Sequence, residues 1–191
     1  MSNVDGLADF LYEVGQLKRT WRTGWSLARM SNRESVADHS FRAAVIAMIL
    51  AELEGADADR AAAIALIHDL PEARLGDMNH LTRRYLAEEK PFRQVVDDQT
   101  DRLTARVRDL IQRRAEQWVS DSSAEADVAR DADVIESILH VRESLPGRPD
   151  LVARWHTYLS RSIRTASAKK LIDAIAKSDP DDWWPRAVTD E

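Results

Sequence analysis

Cysteine is absent from this sequence, which excludes a disulfide framework and any chemistry that depends on a thiolate. Long apolar runs are also missing, and no stretch approaches the roughly 20 residues that a membrane-spanning helix needs. The N-terminus lacks the basic segment followed by an apolar segment that is typical of a secretory signal peptide. We therefore expect a protein of the cytoplasm that does not enter a membrane.

The sequence also lacks an excess of basic residues. It contains 27 lysines and arginines against 33 aspartates and glutamates, which gives a formal net charge of -6 at pH 7. Proteins that bind nucleic acids in general usually present a basic face. We expect no nucleic-acid partner, although a few local arginines could still bind a small anion.

Glycine and proline are scarce, with six of each, and they lie mostly between segments whose apolar residues recur at helical spacing. No segment alternates apolar and polar residues for long enough to predict a strand. The pattern indicates an all-α protein. At this length we expect one domain over residues 1–191, with a core of about 5–177 and an irregular tail over 178–191.

The apolar spacing also gives approximate helix bounds. We predict helices over residues 5–21, 35–54, 57–67, 81–89, 92–118 and 125–145, with one or two more over 151–177. The expected apolar faces include Leu7 and Leu11 in the first helix and Leu53 in the second. The segment 22–34, in which aromatic residues and arginines interleave, is predicted to be a functional loop. We expect the two tail tryptophans to pack on the surface or on a partner: Trp183 and Trp184.

The most informative stretch reads IALIHDLPEARLGD. Its apolar run ends at the adjacent pair His68 and Asp69, and Pro71 then interrupts one helix and suits the first turn of another. Glu72 and Asp77 follow closely. Three carboxylates and an imidazole beside a buried helix would lose hydration unless a cation compensates them. The stretch therefore indicates a divalent metal, although a His-Asp pair taken alone is more often a coincidence.

Two further ionisable residues lie on apolar helix faces. His39 is four residues before Ala43, and Asp133 adjoins the apolar positions of its own helix, whereas Asp131 points elsewhere and is a weaker candidate. Taken alone, His39 would more often be a core histidine bonded to a backbone carbonyl. Two histidines and two aspartates from three helices suit a transition metal such as Mn, Fe, Co, Ni or Zn better than Ca or Mg.

The order H…HD…D, formed by His39, His68, Asp69 and Asp133, resembles the signature of the HD-domain metal-dependent phosphohydrolases. The 5′-deoxynucleotidase branch is similar in further motifs, which read RTGW, RESVADHS, HDLPEARLGD and RDADVIE in this chain. The similarity covers roughly residues 5–145. It implies an HD-domain helical bundle in which these four residues bind one divalent transition metal ion.

The resemblance also implies roles for residues around the metal. Trp25 matches the aromatic residue that lies against the nucleotide sugar. The branch commonly places an arginine immediately before this tryptophan, but here that position is Gly24 and the nearest arginine is Arg22. We predict that Arg22 contacts the substrate phosphate, with Lys18 as a second cation that could neutralise its charge.

Glu72 and Asp77 match the two additional acidic site residues of the family. A metal-bound water has a lowered pKa, and the same ion can polarise a phosphoryl oxygen, which are the two requirements of phosphomonoester hydrolysis. Glu72 lies one turn beyond the ligand pair, where it could transfer a proton, and Asp77 could orient water or a sugar hydroxyl. The sequence does not assign the acid and the base between them.

Three hypotheses follow. The leading one is a metal-dependent 5′-nucleotidase that acts on deoxynucleoside 5′-monophosphates, as a homodimer. A second keeps the site but changes the substrate to a nucleoside triphosphate, a cyclic phosphate or another phosphate ester. A third is a non-catalytic HD protein that senses a nucleotide or uses the metal for stability, which has no need of Glu72 and Asp77.

Overall fold

The computed structural model describes residues 3–31, 34–85 and 92–188. These residues form helices and contain no β-strand, so the prediction of an all-α protein is confirmed. The α-helices are α1 (Asn3–Val14), α2 (Gly24–Leu27), α3 (Val36–Glu54), α4 (Ala58–Ile67), α5 (Glu72–Leu75), α6 (His80–Arg83), α7 (Phe92–Thr100), α8 (Ala105–Ser120), α9 (Ala124–Ser144), α10 (Pro149–Leu159), α11 (Ala166–Ile175) and α12 (Trp183–Val188). Two 3-10 helices span Gly15–Lys18 and Ser160–Ser162.

The centre of the fold is the packing of α3, α4 and α9 against one another. Their facing positions alternate large aliphatic side chains with alanines, and the alanines allow the helix axes to approach closely. Each fully buried leucine or isoleucine stabilises the fold by about 1.5–3 kcal/mol. The residues of this cluster with no exposed surface are Ala47, Leu50, Ala51, Ala61, Ile64, Val128, Ala129, Ala132, Ile135 and Ala168.

The helix termini that frame this core are fixed by their capping residues. The Ser35 side chain accepts a hydrogen bond from the Asp38 backbone, and the Asp38 side chain accepts one from the Ser35 backbone, so the two residues form a capping box at the start of α3. Gly55 ends α3 in the left-handed conformation, at φ 71°, and Asp57 caps α4. These caps set the register of α3 and therefore the direction in which His39 points.

The predicted break after α4 is also confirmed. The last helical residue is Ile67, His68 forms the C-terminal cap, and Pro71 precedes the single turn of α5. Gly76 ends that turn with φ 73°, a conformation that favours glycine. The chain therefore turns sharply twice within ten residues, which gives His68 and its neighbours directions that one straight helix would not allow.

The first predicted helix, over residues 5–21, is too long. The α-helix ends at Val14 and continues only as a 3-10 helix, because Gly15 at this point favours helix much less than other residues do. Its apolar face is also less buried than predicted, since Leu7 and Leu11 are 40% and 59% exposed. Leu17 is the residue of this segment that packs deeply into the core, beside Val36.

The predicted helix over 92–118 is two helices, α7 and α8, joined by a turn at residues 101–104. The Thr100 hydroxyl donates to the Val96 carbonyl at 2.7 Å, and the Leu103 backbone donates to the Thr100 carbonyl at 3.0 Å. Such local hydrogen bonds compete with helix continuation. The predicted helix over 81–89 corresponds to α6, and its residues 86–89 lie outside the described part of the chain.

The C-terminal half contains more regular structure than predicted at its end. The region 151–177 forms two helices, α10 and α11, as one of the two predicted possibilities. The tail predicted to be irregular includes α12, in which Trp183 and Trp184 are 71% and 52% exposed. The segment 22–34 is a loop that contains the single turn α2, with two of its residues outside the described ranges.

No helix formed by the described residues is long and apolar enough to cross a membrane. The organisation of residues 1–191 as one domain stays a prediction.

Candidate metal centre

The four predicted metal ligands converge at one point of the bundle. His39 comes from the first turn of α3, His68 and Asp69 from the turn that follows α4, and Asp133 from the middle of α9. The His39 Nε2 atom lies 3.0 Å from Asp133 Oδ1, and the His68 Nε2 atom lies 3.1 Å from Asp69 Oδ2. The His39 Nε2 atom lies 4.0 Å from Asp69 Oδ2, and the His68 Nε2 atom lies 3.9 Å from Asp133 Oδ1. Both histidines are buried, while the Asp133 side chain is 30% exposed toward the cavity.

The bonding of the two imidazoles shows that this point fits a cation. The Nδ1 atom of His68 donates to the Ala65 carbonyl at 2.6 Å, and the Nδ1 atom of His39 lies 2.5 Å from Glu136 Oε2. Each Nε2 atom is buried and has no hydrogen bond of acceptable geometry within the described residues. Imidazoles held through one ring nitrogen, with the other directed at carboxylates, are the usual arrangement of histidine metal ligands.

The charges around this point favour a positive ion. Burial raises the pKa of Asp69, but His68, Arg22 and His39 outweigh that effect and hold this pKa well below its usual value. Burial raises the pKa of Asp133 too, but the adjacent His39, together with His68 and Arg22, outweighs that effect and lowers this pKa. Burial lowers the pKa of His39, yet the carboxylates of Asp133 and Glu136 raise it to about 10. The pocket therefore holds ionised carboxylates that a divalent cation would compensate.

Arg22 points into the same group of carboxylates. Its NH1 atom donates to Asp69 Oδ2 at 3.1 Å and lies 3.5 Å from Asp77 Oδ1. Its NH2 atom lies 3.8 Å from Asp133 Oδ1 and donates to the Ser137 hydroxyl at 3.3 Å. The guanidinium is thus held beside the candidate ligands and adds a fixed positive charge to the group of carboxylates.

Glu72 opens α5 and is 6% exposed. One carboxyl oxygen lies 3.5 Å from the Arg83 guanidinium, and the other is buried without a hydrogen-bond partner among the described residues. Burial, followed by the neighbouring charges of Asp69 and Asp77, raises the pKa of Glu72 to about 9. This environment favours the protonated carboxyl and gives Glu72 an oxygen that is free to exchange a proton.

Asp77 connects two loops. Its Oδ2 atom accepts hydrogen bonds from the Thr23 backbone at 2.5 Å and from the Thr23 hydroxyl at 2.7 Å. The Asn79 amide in turn donates to the Thr23 hydroxyl at 3.1 Å. The loop after α5 is therefore tied to the residue that lies between Arg22 and the start of α2.

Trp25 is nearly buried, with 4% of its surface exposed, but it forms part of the cavity wall. Its indole Nε1 donates to Glu34 Oε2 at 2.9 Å. Its ring centroid lies 4.9 Å from that of His140 and 5.9 Å from that of Trp155. The structure places Lys18 differently, since this exposed residue ends a 3-10 helix and does not line the cavity.

Glu136, which the sequence analysis did not single out, supports the site from behind. It has no exposed surface, and its Oε1 atom accepts two hydrogen bonds from Arg42, at 3.0 Å and 2.8 Å. Its other oxygen contacts His39, as described above. The sequence could have indicated Glu136, because the motif RDADVIE places it three positions after Asp133 and therefore on the same helix face.

Glu34 was also missed. It is 7% exposed, binds the Trp25 indole, and lies against Glu136. Burial and the adjacent Glu136 carboxylate raise the pKa of Glu34 to about 8. A chain of buried contacts therefore runs from Trp25 through Glu34 and Glu136 to His39.

Asp131, the weaker candidate, has a structural role. Its carboxylate accepts hydrogen bonds from the Arg164 backbone at 2.9 Å, from the Thr165 backbone at 2.8 Å and from the Thr165 hydroxyl at 2.7 Å. These contacts fix the start of α11 and leave Asp131 away from the metal centre.

Three of the candidate ligands, His68, Asp69 and Asp133, line a cavity of about 1890 Å³, and we call the part of the cavity that they line its metal end. An all-α bundle that directs two histidines and two aspartates to one buried point, with an arginine and a buried glutamate beside it, defines a candidate metal-dependent hydrolase.

Comparisons with known proteins agree with this class. The model of the HD domain family matches residues 14–175, and the chain belongs to this family. The predicted family is thereby confirmed. The chain is 34% identical over 142 residues to the 5′-deoxynucleotidase HDDC2 of Homo sapiens, a match that covers 72% of this chain and 67% of that protein.

Two further relatives extend the match over most of the chain. The 5′-deoxynucleotidase HDDC2 of Xenopus laevis is 31% identical over 176 residues, which cover 88% of this chain and 85% of that protein. A solved structure of a conserved hypothetical protein from Pyrococcus furiosus is 27% identical, with a TM-score of 0.68. That match covers 90% of this chain and 99% of the other.

Proposed function

We propose that this protein is a metal-dependent 5′-nucleotidase that hydrolyses deoxynucleoside 5′-monophosphates to nucleoside and phosphate. The observation that carries the proposal is the pair of buried, unbonded imidazole nitrogens that face Asp69 and Asp133 at the end of an open cavity. The names of the relatives from Homo sapiens and Xenopus laevis support the same reaction and the same substrate class.

The metal in this proposal is one divalent transition ion, Co, Mn, Fe, Ni or Zn, held by His39, His68, Asp69 and Asp133. Two imidazoles and two carboxylates form a mixed nitrogen and oxygen set that suits these ions. When bound, such an ion lowers the pKa of a coordinated water and polarises a phosphoryl oxygen.

Arg22 binds the phosphate of the substrate. Its planar guanidinium can donate two parallel hydrogen bonds to phosphate oxygens, which a lysine cannot do. The contacts with Asp69 and Ser137 already hold the group beside the metal centre, so little side-chain freedom is lost when the phosphate arrives. Lys18, the other predicted cation, has no place in this account because it lies outside the cavity lining.

Glu72 handles the proton of the reaction. Its unbonded oxygen and its raised pKa suit a group that gives a proton to the leaving sugar oxygen. Asp77 positions the other side of the site, because its bonds to Thr23 hold the turn that carries Arg22 and Trp25. Trp25 forms the wall against the sugar in this proposal.

The size of the cavity favours a second candidate. At about 1890 Å³ it exceeds the 300–1,000 Å³ that is typical of small-ligand sites. The same centre could therefore accept a larger phosphate ester, such as a nucleoside triphosphate. The non-catalytic hypothesis has less support, since a structural metal needs neither the exposed face of Asp133 nor the unbonded oxygen of Glu72.

The proposal includes a homodimer. The face of α3 that points away from the core carries an apolar row at helical spacing, which a second copy of the chain could cover. The row and its exposed fractions are Phe41 68%, Val45 38%, Met48 44%, Ile49 49% and Leu53 66%. Leu53 lies in this exposed row, so the prediction that placed it on the buried face of its helix is wrong. The proposal also includes a nucleotide substrate, a cytoplasmic location and the absence of a nucleic-acid partner.

A reconstitution screen tests the proposed reaction. Metal-free protein is loaded in turn with Mn, Fe, Co, Ni or Zn and assayed for phosphate release from deoxynucleoside and ribonucleoside monophosphates and from deoxynucleoside triphosphates. We expect phosphate release from deoxynucleoside monophosphates with at least one metal and none from His68→Ala. Release from triphosphates alone would support the second candidate and contradict the first.

A further inference from the structure

The lining of the cavity separates its charges. Among the described residues, the acidic side chains that line the cavity are the proposed ligands Asp69 and Asp133 and their neighbours Glu72 and Asp77. Apart from these residues and Arg22, the part of the lining that the structure describes contains arginines and no carboxylate, namely Arg83, Arg84, Arg93, Arg154 and Arg161. This separation is unusual in a chain with a net charge of -6.

Three of these arginines have no acidic partner among the residues that the structure describes. Arg93 pairs with Glu116 at 2.6 Å, and Arg83 lies 3.5 Å from Glu72. Arg84, Arg154 and Arg161 form no ion pair within residues 3–31, 34–85 and 92–188. They are exposed, and their charges are available to a ligand in the cavity.

The three arginines lie close in sequence to a contact between two helices. The rings of His80 in α6 and Tyr158 in α10 meet edge to face, with centroids 5.8 Å apart. Arg154 precedes Tyr158 by four residues on α10, so these two side chains share one helix face, and Arg161 lies in the 3-10 helix that follows directly. Arg84 lies one turn after His80. We call Arg84, Arg154 and Arg161, together with Tyr158, the mouth of the cavity.

The cavity also has room for a ligand that reaches from the metal centre to the mouth. Its volume of about 1890 Å³ is well above that of a typical small-ligand pocket. Trp155 also lines the cavity, and its ring, like that of Tyr158 at the mouth, offers a flat surface on which a base can stack. A nucleoside monophosphate bound at the metal end would leave the arginines of the mouth without an anionic partner.

We propose that the mouth binds a second phosphate of the substrate, and that the preferred substrate is a deoxynucleoside 3′,5′-bisphosphate. This inference rests on the proposed function, which places the 5′-phosphate at the metal end. The groups left to reach the mouth are then the base and the 3′ oxygen. Because the bases are uncharged near neutral pH, an anionic group at the mouth requires a phosphate on the 3′ oxygen. Arginine donates charge-assisted hydrogen bonds to such a group.

The test compares two substrates that differ by one phosphate. The kcat/KM for release of the 5′-phosphate is measured with deoxyadenosine 5′-monophosphate and with deoxyadenosine 3′,5′-bisphosphate. We expect the wild type to favour the bisphosphate by about tenfold or more, as one charged hydrogen bond of about 1.5–3 kcal/mol would give. In the double variant Arg154→Glu/Arg161→Glu the ratio of the two values should fall to about one.

A matched double variant controls for the change in net charge. Arg106 and Arg113 of α8 are exposed, have the same spacing of seven residues, and do not line the cavity. Arg106→Glu/Arg113→Glu should keep the wild-type preference. Arg154→Gln/Arg161→Gln should reduce the preference in the same direction, and it serves if the charge-reversed protein does not fold.

The outcomes separate the two proposals. Equal kcat/KM for both substrates in the wild type would overturn the bisphosphate inference and leave the proposed nucleotidase intact. An equal loss on both substrates in the mouth variant would identify the arginines as a device that attracts any anion, which also overturns it. If no metal supports hydrolysis, the proposed function fails, and calorimetric binding of the same two nucleotides decides on the mouth. Equal affinities of the protein for the monophosphate and the bisphosphate would then overturn the inference, whereas tighter binding of the bisphosphate would support it.

Discussion

The metal end and the mouth of the cavity differ in the burial and in the pairing of their charged side chains. At the metal end, His39 and His68 are buried, and each is oriented by a hydrogen bond through its Nδ1 atom. At the mouth, the arginines are exposed and have no acidic partner among the described residues. Burying several carboxylates together is costly without a compensating cation, whereas exposed guanidinium groups keep their hydration.

This difference indicates how each end responds to change. The metal end depends on fixed geometry, so a single substitution there should alter metal binding, stability and turnover together. The mouth depends on charge, so a substitution there should alter only the choice of ligand. Each prediction below tests this division, from the largest expected effect to the smallest.

The largest effect is expected from removal of a metal ligand. In Asp133→Ala or His68→Ala the remaining ligands can no longer hold the ion, and activity should fall to background. A ligand present at 1,000 times its Kd stabilises a fold by about 4.1 kcal/mol, so the rise in Tm on adding metal should also disappear. Elemental analysis and melting curves with and without metal measure both effects. Full metal content in Asp133→Ala would exclude this residue from the ligand set.

A smaller effect, confined to turnover, is expected from Glu72→Gln. The amide has nearly the same shape but cannot transfer a proton, and such groups contribute about 10²–10⁴-fold to rate. Metal content should stay at the wild-type level, because Glu72 is not one of the proposed ligands. Arg83→Gln is the control, since it removes the exposed partner of Glu72 and leaves the carboxyl in place. Wild-type kcat in Glu72→Gln would remove this residue from the mechanism.

Glu136→Gln tests the support behind the metal end. The amide can still accept from Arg42, but it no longer offers the His39 Nδ1 atom a carboxylate. Loss of such a supporting group typically weakens metal affinity by about 10–100-fold. The control is Glu143→Gln, because Glu143 binds the same Arg42 and is not bonded to His39. Equal metal affinity in the two variants, measured by competition with a chelator, would show that Glu136 does not orient the ligand.

The residues that the structure brings together at the metal end could be singled out from the sequence for a physical reason. An ionisable residue on an apolar helix face stands out in a single helix, as His39 and Asp133 do, and Pro71 marks the break that His68 and Asp69 need. The fold class followed from the same helical periodicity. These signals are local, so they are visible before the helices are packed.

The features that the sequence did not predict depend on contacts between distant segments. Glu34 and Glu136 become recognisable only when α3 and α9 bring them together behind His39. The turn between α7 and α8 contains neither glycine nor proline, so the apolar periodicity predicted one continuous helix across it. Leu53 has the spacing of a core residue, but it lies on the exposed side of α3. The charge separation along the cavity likewise combines residues from α6 and α10 that are far apart in sequence.

The smallest effect on catalysis is expected between the two ends, at Trp25. Its ring lines the cavity, while its indole nitrogen is bonded to the buried Glu34. Trp25→Phe keeps an aromatic wall but leaves Glu34 without this donor, which should lower the free energy of unfolding by about 1–3 kcal/mol. A wall against the 2′ position disfavours the extra hydroxyl of a ribonucleotide, and apolar pockets reject such an added hydroxyl by no more than about 10²-fold. The smaller ring should therefore reduce the ratio of kcat/KM for deoxyadenosine and adenosine monophosphates by only several-fold. A lower Tm with an unchanged ratio would mean that Trp25 only packs the loop, and the sugar would then have to be selected elsewhere in the cavity.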